Sequence, residues 1–215
     1  MRMSSILRFL FHLLIVRPLV LIVIGLNVGG KKNLPQSGPA ILAANHNSHL
    51  DTLILQSLFP LRMQGRIRPV AAADYFLKNR VLAWFSISVM GILPIQRKLT
   101  ASGGDPLSGC LDALNNGEIL IIFPEGSRGE AEQISNFKNG VAHLAKKNPE
   151  IPVYPVFLHG CGKALPKGES IFVPFFVDCM IGEARYWSGN KSEFTEDLRS
   201  DIDSLSEKCD LKAWE

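Results

Sequence analysis

A histidine and an aspartate five residues apart are the side chains in this sequence best suited to acid–base chemistry. His46 and Asp51 lie in the segment 45–51, NHNSHLD, directly after the apolar run 39–44. A strand that ends in a polar turn places His46 at the edge of a sheet, where loops carry functional groups. Asp51 then falls in the first turn of the next helix, close enough to hold the imidazole. Because a carboxylate partner fixes the tautomer of a histidine, the pair predicts general-base catalysis.

Two simpler interpretations of these residues compete with catalysis. Ser48 and Asp51 have the spacing of a helix N-terminal capping pattern, so Asp51 can serve backbone donors, a role that is compatible with catalysis. His46, His49 and Asp51 together suggest a metal site. Since no further histidine or carboxylate lies at ligand spacing, we expect no metal.

A second group of candidate residues follows the apolar run 118–123. The turn 124–129, PEGSRG, offers backbone N–H groups, the Ser127 hydroxyl and the Arg128 guanidinium. These are the groups from which proteins build phosphate sites. Arg97, which ends the predicted strand 91–96, can supply a second cation to the same anion. The alternatives are that the turn residues only form a turn and that each arginine is a surface cation.

Composition limits the classes of partner and of compartment. The chain has 215 residues and a net charge of +3, too small to indicate a nucleic-acid partner. Its mean hydropathy of +0.14 is high for a soluble domain, and the excess lies at the N-terminus. The four cysteines are far apart and show no C-x-x-C spacing. They predict buried, reduced thiols of a cytosolic protein rather than a zinc site or a disulfide framework.

The apolar segment 6–28 has three interpretations. No small-residue cleavage site follows it, which disfavours a secretory signal. A transmembrane helix would carry Arg17 near its middle, at a cost of roughly 2.5–3.5 kcal/mol, and Pro18 interrupts a regular helix. We therefore expect two short helices, bent at Arg17-Pro18, that lie as a hairpin in one leaflet. Lys31 and Lys32 follow and are suited to anionic lipid on the cytoplasmic face of the cell (inner) membrane.

From residue 34 onward, short apolar runs alternate with helical patterns, which is typical of an α/β domain. We expect a mixed central sheet of about seven strands flanked by helices, with residues 1–33 as a membrane-associated segment and residues 34–215 as the α/β domain. The predicted strands are 40–45, 69–73, 91–96, 118–123, 153–158, 171–178 and 180–186. The predicted helices are 48–59, 76–89, 107–115, 137–147 and 193–209.

Taken together, the motifs resemble the glycerolipid acyltransferase family, typified by lysophosphatidate acyltransferases. Four blocks of that family occur here in order, over about residues 30 to 160. They are Asn45-His46-x4-Asp51, Gly91 to Arg97, Phe123-Pro124-Glu125-Gly126-Ser127-Arg128, and Val153-x-Pro155-Val156. Phe137-Lys138-x-Gly140 also matches a stretch that follows the third block in the family.

The resemblance implies a function and a set of roles. His46 would take the proton of an acceptor hydroxyl, Asp51 would orient the imidazole, and no acyl-enzyme would form. The acyl donor would be acyl-CoA or acyl carrier protein as co-substrate, with no cofactor and no metal. Glu125 would accept hydrogen bonds from the glycerol hydroxyl, from Arg128 or from backbone N–H groups. The substrate-binding residues would be Arg97, Glu125, Gly126, Ser127 and Arg128, with Gly91 and Pro155 as further contacts.

One departure from the family pattern keeps the acceptor open. The family often has a lysine between the first two blocks, where this chain has the segment 73–76 with Asp74, and Lys78 shortly after. The acceptor is therefore lysophosphatidate-like or another lysophospholipid, an aminoacyl lipid or glycerol phosphate. Alternatives of a different class are a thioesterase or hydrolase and a non-catalytic lipid-binding membrane protein. We expect membrane lipid as a partner and no nucleic acid; the sequence does not indicate an oligomeric state.

Overall fold

Seven strands form one mixed sheet in the computed structural model of the chain. The structure describes residues 3–76, 79–96, 105–129, 133–164 and 176–209. Across the sheet the strand order is β1-β7-β6-β2-β5-β3-β4. The strands are β1 Leu26–Gly29, β2 Ala40–Ala44, β3 Ile67–Ala72, β4 Leu93–Ile95, β5 Ile119–Ile122, β6 Val153–His159 and β7 Val177–Ile181.

Strand direction decides where the chain can place functional groups. Strands β6, β2, β5, β3 and β4 are mutually parallel, whereas β7 runs antiparallel to β6 and parallel to β1. The carboxyl ends of the five parallel strands therefore meet at one edge of the sheet. That edge is where open α/β sheets bind their ligands.

Helices cover both faces of the sheet. Helices α1 and α2 share one core cluster with the sheet, and α5, α6 and α8 share a second cluster on the opposite face. The helices are α1 Met3–Ile24, α2 Leu50–Ser57, α3 Ala73–Phe76, α4 Arg80–Val89, α5 Ser108–Asn115, α6 Gly140–Lys147, α7 Cys161–Ala164 and α8 Lys191–Glu207.

The uninterrupted apolar sequence of β2 follows from this layered arrangement. Leu42 packs into the cluster beneath α1 and α2, while its neighbours Ile41 and Ala43 pack into the cluster beneath α5, α6 and α8. Successive side chains of a strand point to opposite faces, so a strand covered on both faces is apolar at every position. All five residues of β2 are buried.

The predicted mixed α/β sheet flanked by helices is confirmed, but two details of the prediction are wrong. The predicted strands 171–178 and 180–186 are one strand, β7, with residues 171–175 outside the described part. The seventh strand is β1, which lies within the segment expected to belong to the membrane. The division of the chain at residue 33 stays a prediction, and β1 ties the N-terminal segment to the sheet.

The predicted hairpin at Arg17-Pro18 is also wrong, because α1 is a single helix of 22 residues. Arg17 and Pro18 both keep helical backbone angles, with φ −63° and ψ −48° at Arg17 and φ −58° and ψ −43° at Pro18. Two π turns, His12–Val16 and Leu19–Ile24, flank this pair. Such turns occur where the α-helical hydrogen-bond ladder is interrupted. The missing proline N–H therefore falls between two such interruptions of the ladder.

The π turns also explain how α1 packs. Its buried residues are spaced at every fourth position along its whole length: Arg8, His12, Val16, Val20 and Ile24. In a regular α-helix with 3.6 residues per turn, such a stripe would wind around the axis. Because π turns hold more residues, they keep the stripe on one face.

The opposite face of α1 is apolar and exposed. Leu14, Leu21 and Ile22 are among its exposed side chains, and Leu21 has 69% of its surface accessible. By length and composition alone, α1 can cross a membrane. Its buried stripe, however, packs Val16, Val20 and Ile24 into the core beneath the sheet. The helix thus lies along the domain with its other face available to lipid.

All four cysteines are buried and free of disulfides, as the spacing predicts. Burial raises the pKa of the Cys110 thiol to about 12. Burial likewise raises the pKa of Cys179. Reagents reach enclosed thiols slowly, so we expect all four to react slowly with thiol reagents in the folded protein.

The packing of α1 can be tested with adjacent residues. Val20→Ala removes a fully buried side chain from the core, so we expect the domain in detergent to lose about 1–3 kcal/mol of unfolding free energy. Leu21→Ala, on the exposed face, should leave that energy nearly unchanged. Denaturant unfolding followed by far-UV circular dichroism measures both. Equal stability of the two variants would show that α1 does not pack on the domain.

Candidate active site

Two loops meet at the carboxyl edge of the sheet because β2 and β5 are neighbours. Ala43 of β2 pairs with Ile122 of β5, so the loops that follow these strands leave the sheet side by side. The first loop contains His46, and the second contains the turn 124–129. A backbone hydrogen bond of 2.9 Å from the N–H of Gly129 to the carbonyl of His46 joins them.

Asn45 fixes the point at which the chain leaves β2. Its side-chain amide donates to the Leu158 carbonyl at 2.8 Å, and its side-chain oxygen accepts from the Leu158 N–H at 2.7 Å. The buried amide thus bonds to β6 as a peptide group of β2 would. The next residue, His46, is thereby released from the sheet at a defined position.

His46 and Asp51 form the pair that the spacing predicts. The Nδ1 atom of His46 lies 2.8 Å from Oδ2 of Asp51. A carboxylate oxygen accepts hydrogen bonds, so Nδ1 is the donor in this contact and Nε2 is the ring nitrogen that can act as a base. The Asp51 side chain is buried, whereas that of His46 keeps some access to solvent. This geometry is the one required of a general base with an orienting carboxylate.

Asp51 serves the backbone as well. Its Oδ2 also accepts from the N–H groups of Asn47 at 2.7 Å and Ser48 at 2.8 Å, which precede α2. The capping interpretation and the catalytic interpretation therefore hold together. Its Oδ1 is buried and has no hydrogen-bond partner among the described residues. An incompletely satisfied buried carboxylate is costly, and such groups occur where function requires them.

Glu125 is a second buried carboxylate, and it links the loop that contains His46 to the segment that contains Ser135. Its Oε1 accepts from the backbone N–H of His46 at 2.8 Å, and its Oε2 accepts from the backbone N–H of Ser135 at 3.0 Å. Of the partners anticipated for Glu125, the structure shows backbone N–H groups. A contact between Glu125 and a substrate stays a prediction.

Phe123 packs flat against the imidazole. The ring centroids of His46 and Phe123 are 3.9 Å apart with planes inclined by 16°. The face of an aromatic ring attracts positive charge, so this contact favours the imidazolium that forms when His46 takes a proton. Together with Asp51, Phe123 restricts the ring to one orientation.

The turn 124–129 brings cations to the same place. Gly126 has a left-handed φ of +74°, and a Cβ at this position would lie 2.7 Å from Nζ of Lys138. The turn therefore needs glycine for its left-handed backbone, and the side chain of Lys138 lies across it. Partial burial, followed by the positive charges of Arg128 and His46, lowers the pKa of the His49 imidazole, although that residue keeps a solvent-exposed face. The edge is suited to an anion.

The remaining predicted site residues are placed differently. Ser127 is exposed on the turn. Arg97 lies outside the described residues, so its part in the site stays a prediction. Gly91 precedes β4 at the amino edge of the sheet, where its φ is +77° and a Cβ would lie 3.1 Å from the guanidinium carbon of Arg8. Pro155 is buried inside β6, paired with Ala43. These placements explain how Gly91 and Pro155 pack, and their contact with a substrate stays a prediction.

Sequence reasoning missed three participants of the site. Asn45 and Phe123 stand in the motifs, but only the adjacency of β2 to β6 and β5 reveals what they contact. Ser135 contributes a backbone N–H, which has no sequence signature. Among the described residues, no group of three or more His, Cys, Asp or Glu side chains is arranged to hold a metal ion. A metal-free mechanism stays a prediction.

Comparisons with known proteins identify the family to which the chain is similar. A family model described as Acyltransferase matches residues 25–159. A chloroplastic 1-acyl-sn-glycerol-3-phosphate acyltransferase of Arabidopsis thaliana is 33% identical over 145 residues, 67% of this chain and 38% of that protein. The 1-acyl-sn-glycerol-3-phosphate acyltransferase of Pseudomonas aeruginosa is 27% identical over 169 residues, 75% of this chain and 60% of that protein. The chain thus spans less than two thirds of the length of these curated relatives.

The fold also matches a solved structure. The crystal structure of the 1-acyl-sn-glycerophosphate (LPA) acyltransferase PlsC from Thermotoga maritima superposes with a TM-score of 0.72 and 22% sequence identity. The match covers 89% of this chain and 75% of that chain. At this identity the likeness establishes the fold.

The role of Asn45 can be tested by stability. Asn45→Ala leaves the buried N–H and C=O of Leu158 without partners, at about 1–3 kcal/mol each, so we expect a loss of about 2–6 kcal/mol of unfolding free energy. Asn27→Ala removes an exposed hydrogen bond to Asp178 and is the matched control, with an expected change below about 0.5 kcal/mol. Denaturant titration compares them. Similar unfolding free energies of the two variants would show that the side chain of Asn45 does not hold the end of β2 against β6.

Proposed function

The chain belongs to the acyltransferase family, and on that basis we propose that it moves a fatty acyl group from a thioester to the free hydroxyl of a lysophosphatidate-like acceptor in phospholipid synthesis. The observation that carries this proposal is the 2.8 Å contact between Nδ1 of His46 and Oδ2 of Asp51. With Nδ1 donating to Asp51, the basic nitrogen is Nε2, on a ring that Asp51 and Phe123 hold in place. A hydroxyl needs such a base to attack a thioester near neutral pH.

The proposed reaction has one covalent exchange. Nε2 of His46 takes the proton of the acceptor hydroxyl as its oxygen bonds to the thioester carbonyl carbon. The resulting tetrahedral intermediate breaks its carbon–sulfur bond, and the imidazolium returns the proton to the leaving thiolate. Asp51 and Phe123 stabilise the imidazolium while it exists. No acyl-enzyme forms, and holding both substrates at one sheet edge supplies much of the rate.

The guanidinium of Arg128 in the turn 124–129 supports an anionic acceptor. Arg128 lies beside the His46 loop, since its charge acts on His49 and Gly129 bonds to the His46 carbonyl. A guanidinium binds phosphate oxygens in pairs, and backbone N–H groups of the turn add further donors. We assign the acceptor phosphate to Arg128 and the turn, with Arg97 and Lys138 as further cations.

Buried Glu125 has a different role in the proposal. Because its two oxygens accept from the backbone of His46 and Ser135, it positions the base and the phosphate turn relative to each other. The acyl donor is acyl-CoA or acyl carrier protein, used as a co-substrate. No cofactor is needed, since thioester exchange is neither oxidation nor reduction.

The substrates also require a membrane. The exposed apolar face of α1 supports membrane association. Because its opposite face is packed on the domain, we propose that α1 lies in one leaflet. Lys31 and Lys32, both exposed, follow β1 and suit the anionic cytoplasmic leaflet.

The activity is tested by identifying products. The purified protein in vesicles should convert labelled acyl-CoA or acyl carrier protein and lysophosphatidate into diacylated product, detected by mass spectrometry. A panel of other lysophospholipids, aminoacyl lipids and glycerol phosphate defines the acceptor. Release of free fatty acid at the same rate without any acceptor would instead establish a thioesterase.

The mechanism is tested with two neighbouring histidines. His46→Ala should lower kcat by about 10²–10⁴-fold, the usual contribution of a positioned base. His49→Ala, at an exposed position three residues away, should keep most of the wild-type rate. Vesicle flotation should show both variants bound like the wild type. If His46→Ala retained more than about a tenth of the wild-type rate, His46 would not be the general base.

A further inference from the structure

A second apolar surface lies outside the active site, on helix α4. Val81 and Trp84 have 73% and 54% of their surfaces exposed, and Leu82 and Ile87 are exposed as well. Four exposed large apolar side chains on one ten-residue helix are unusual for a face in contact with water, and such patches mark interaction sites.

This surface is continuous with that of α1. The rings of Phe11 and Phe85 meet edge to face with centroids 5.5 Å apart. The buried guanidinium of Arg8 donates to the carbonyl of Ile87 at 2.9 Å and to the carbonyl of Ser88 at 3.3 Å. Arg8 of α1 therefore caps the carboxyl end of α4. The two helices are fixed side by side, and their exposed apolar faces form one patch.

The length of α4 and the types of its residues indicate that lipid covers this patch. A helix of ten residues is about 15 Å long, half of the roughly 30 Å hydrocarbon core, so α4 cannot cross a bilayer. Tryptophan prefers the membrane–water interface, which suits Trp84. Arg80 begins the helix at an exposed position, where its charge can reach lipid headgroups.

We propose that α4 is a second membrane element, which enters one leaflet of a lipid bilayer beside the outer face of α1. This inference rests on the membrane association proposed above and is independent of acyl transfer. Together α1 and α4 give the domain two non-collinear contacts with the bilayer. One helix leaves a protein able to rotate about its axis, whereas two hold it in one orientation.

Helix α2 connects the membrane-facing helix α4 to the active site. The amide of Gln56, near the end of α2, donates to the carbonyl of Met90 at 2.8 Å, directly after α4. The first turn of α2 carries Asp51, the partner of His46. A membrane-bound α4 therefore fixes the height of the catalytic base above the lipid surface from which the acceptor comes.

Depth measurements test the proposal. Since the four native cysteines are buried, a nitroxide can be attached at a new cysteine: Val81→Cys on α4, with Tyr186→Cys, 53% exposed, as the matched control. The probe membrane is vesicles of phosphatidylcholine and phosphatidylglycerol. Electron paramagnetic resonance then compares accessibility to oxygen, which concentrates in lipid, and to a nickel chelate, which stays in water. We expect oxygen to dominate at position 81 and nickel at position 186.

Two outcomes would overturn the proposal. Equal nickel accessibility at both positions in vesicle-bound protein would place α4 in water. Shielding of position 81 from both reagents would show that protein, such as a second copy of the chain, covers α4.

A functional measurement separates this inference from the proposed reaction. The variant Val81→Glu with Trp84→Glu should bind vesicles about tenfold more weakly or worse. It should keep the wild-type rate on acceptor dispersed in detergent, while Tyr186→Glu should change neither quantity. Loss of rate in detergent as well would assign α4 to the catalytic fold instead of the membrane. Absence of transfer by the wild type would count against the reaction alone, because the depth measurement does not require it.

Discussion

Two buried carboxylates govern the architecture around His46. Asp51 and Glu125 are both withdrawn from solvent, and both accept hydrogen bonds from backbone N–H groups. Burying a negative charge is costly unless donors meet it in fixed positions. The chain must therefore keep its backbone path through the segments 45–51, 123–129 and 133–138. The base occupies the point where these paths meet: its ring bonds to one carboxylate and its peptide N–H to the other.

Contacts between residues close together in the sequence could be predicted, whereas contacts between distant residues could not. His46 and Asp51 are five residues apart, so local spacing was enough to pair them. Glu125 is 79 residues from His46, and their contact depends on β2 and β5 lying side by side, which periodicity alone does not reveal. The expected bend at Pro18 failed for another reason. The rule that proline bends a helix assumes a regular α-helical hydrogen-bond ladder. Here π turns on either side of Pro18 already interrupt that ladder.

The two faces of the sheet differ in the surfaces they present. Helix α1 covers one face and exposes leucine, isoleucine and valine outward. Helix α8 covers the other face, and six of its seventeen residues are aspartate or glutamate. An acidic helix is repelled by anionic lipid, so the charge of α8 would favour the proposed orientation, in which α1 and α4 face the bilayer. The candidate active site lies at the edge between these surfaces, where the lipid acceptor and the thioester of the proposed reaction could both reach it.

The position of β1 has a consequence for how the protein is made. This strand directly follows α1 in the chain, yet its neighbour in the sheet is β7, and Asn27 and Asp178, which bond across the two strands, are 151 residues apart. During synthesis α1 therefore leaves the ribosome long before the strand that completes the sheet beside it. Closing so long a loop is slow, since entropy must be lost before the pairing can offset it. In the proposed membrane-bound state, one edge of the sheet would therefore be tethered at the bilayer before the rest of the sheet assembles.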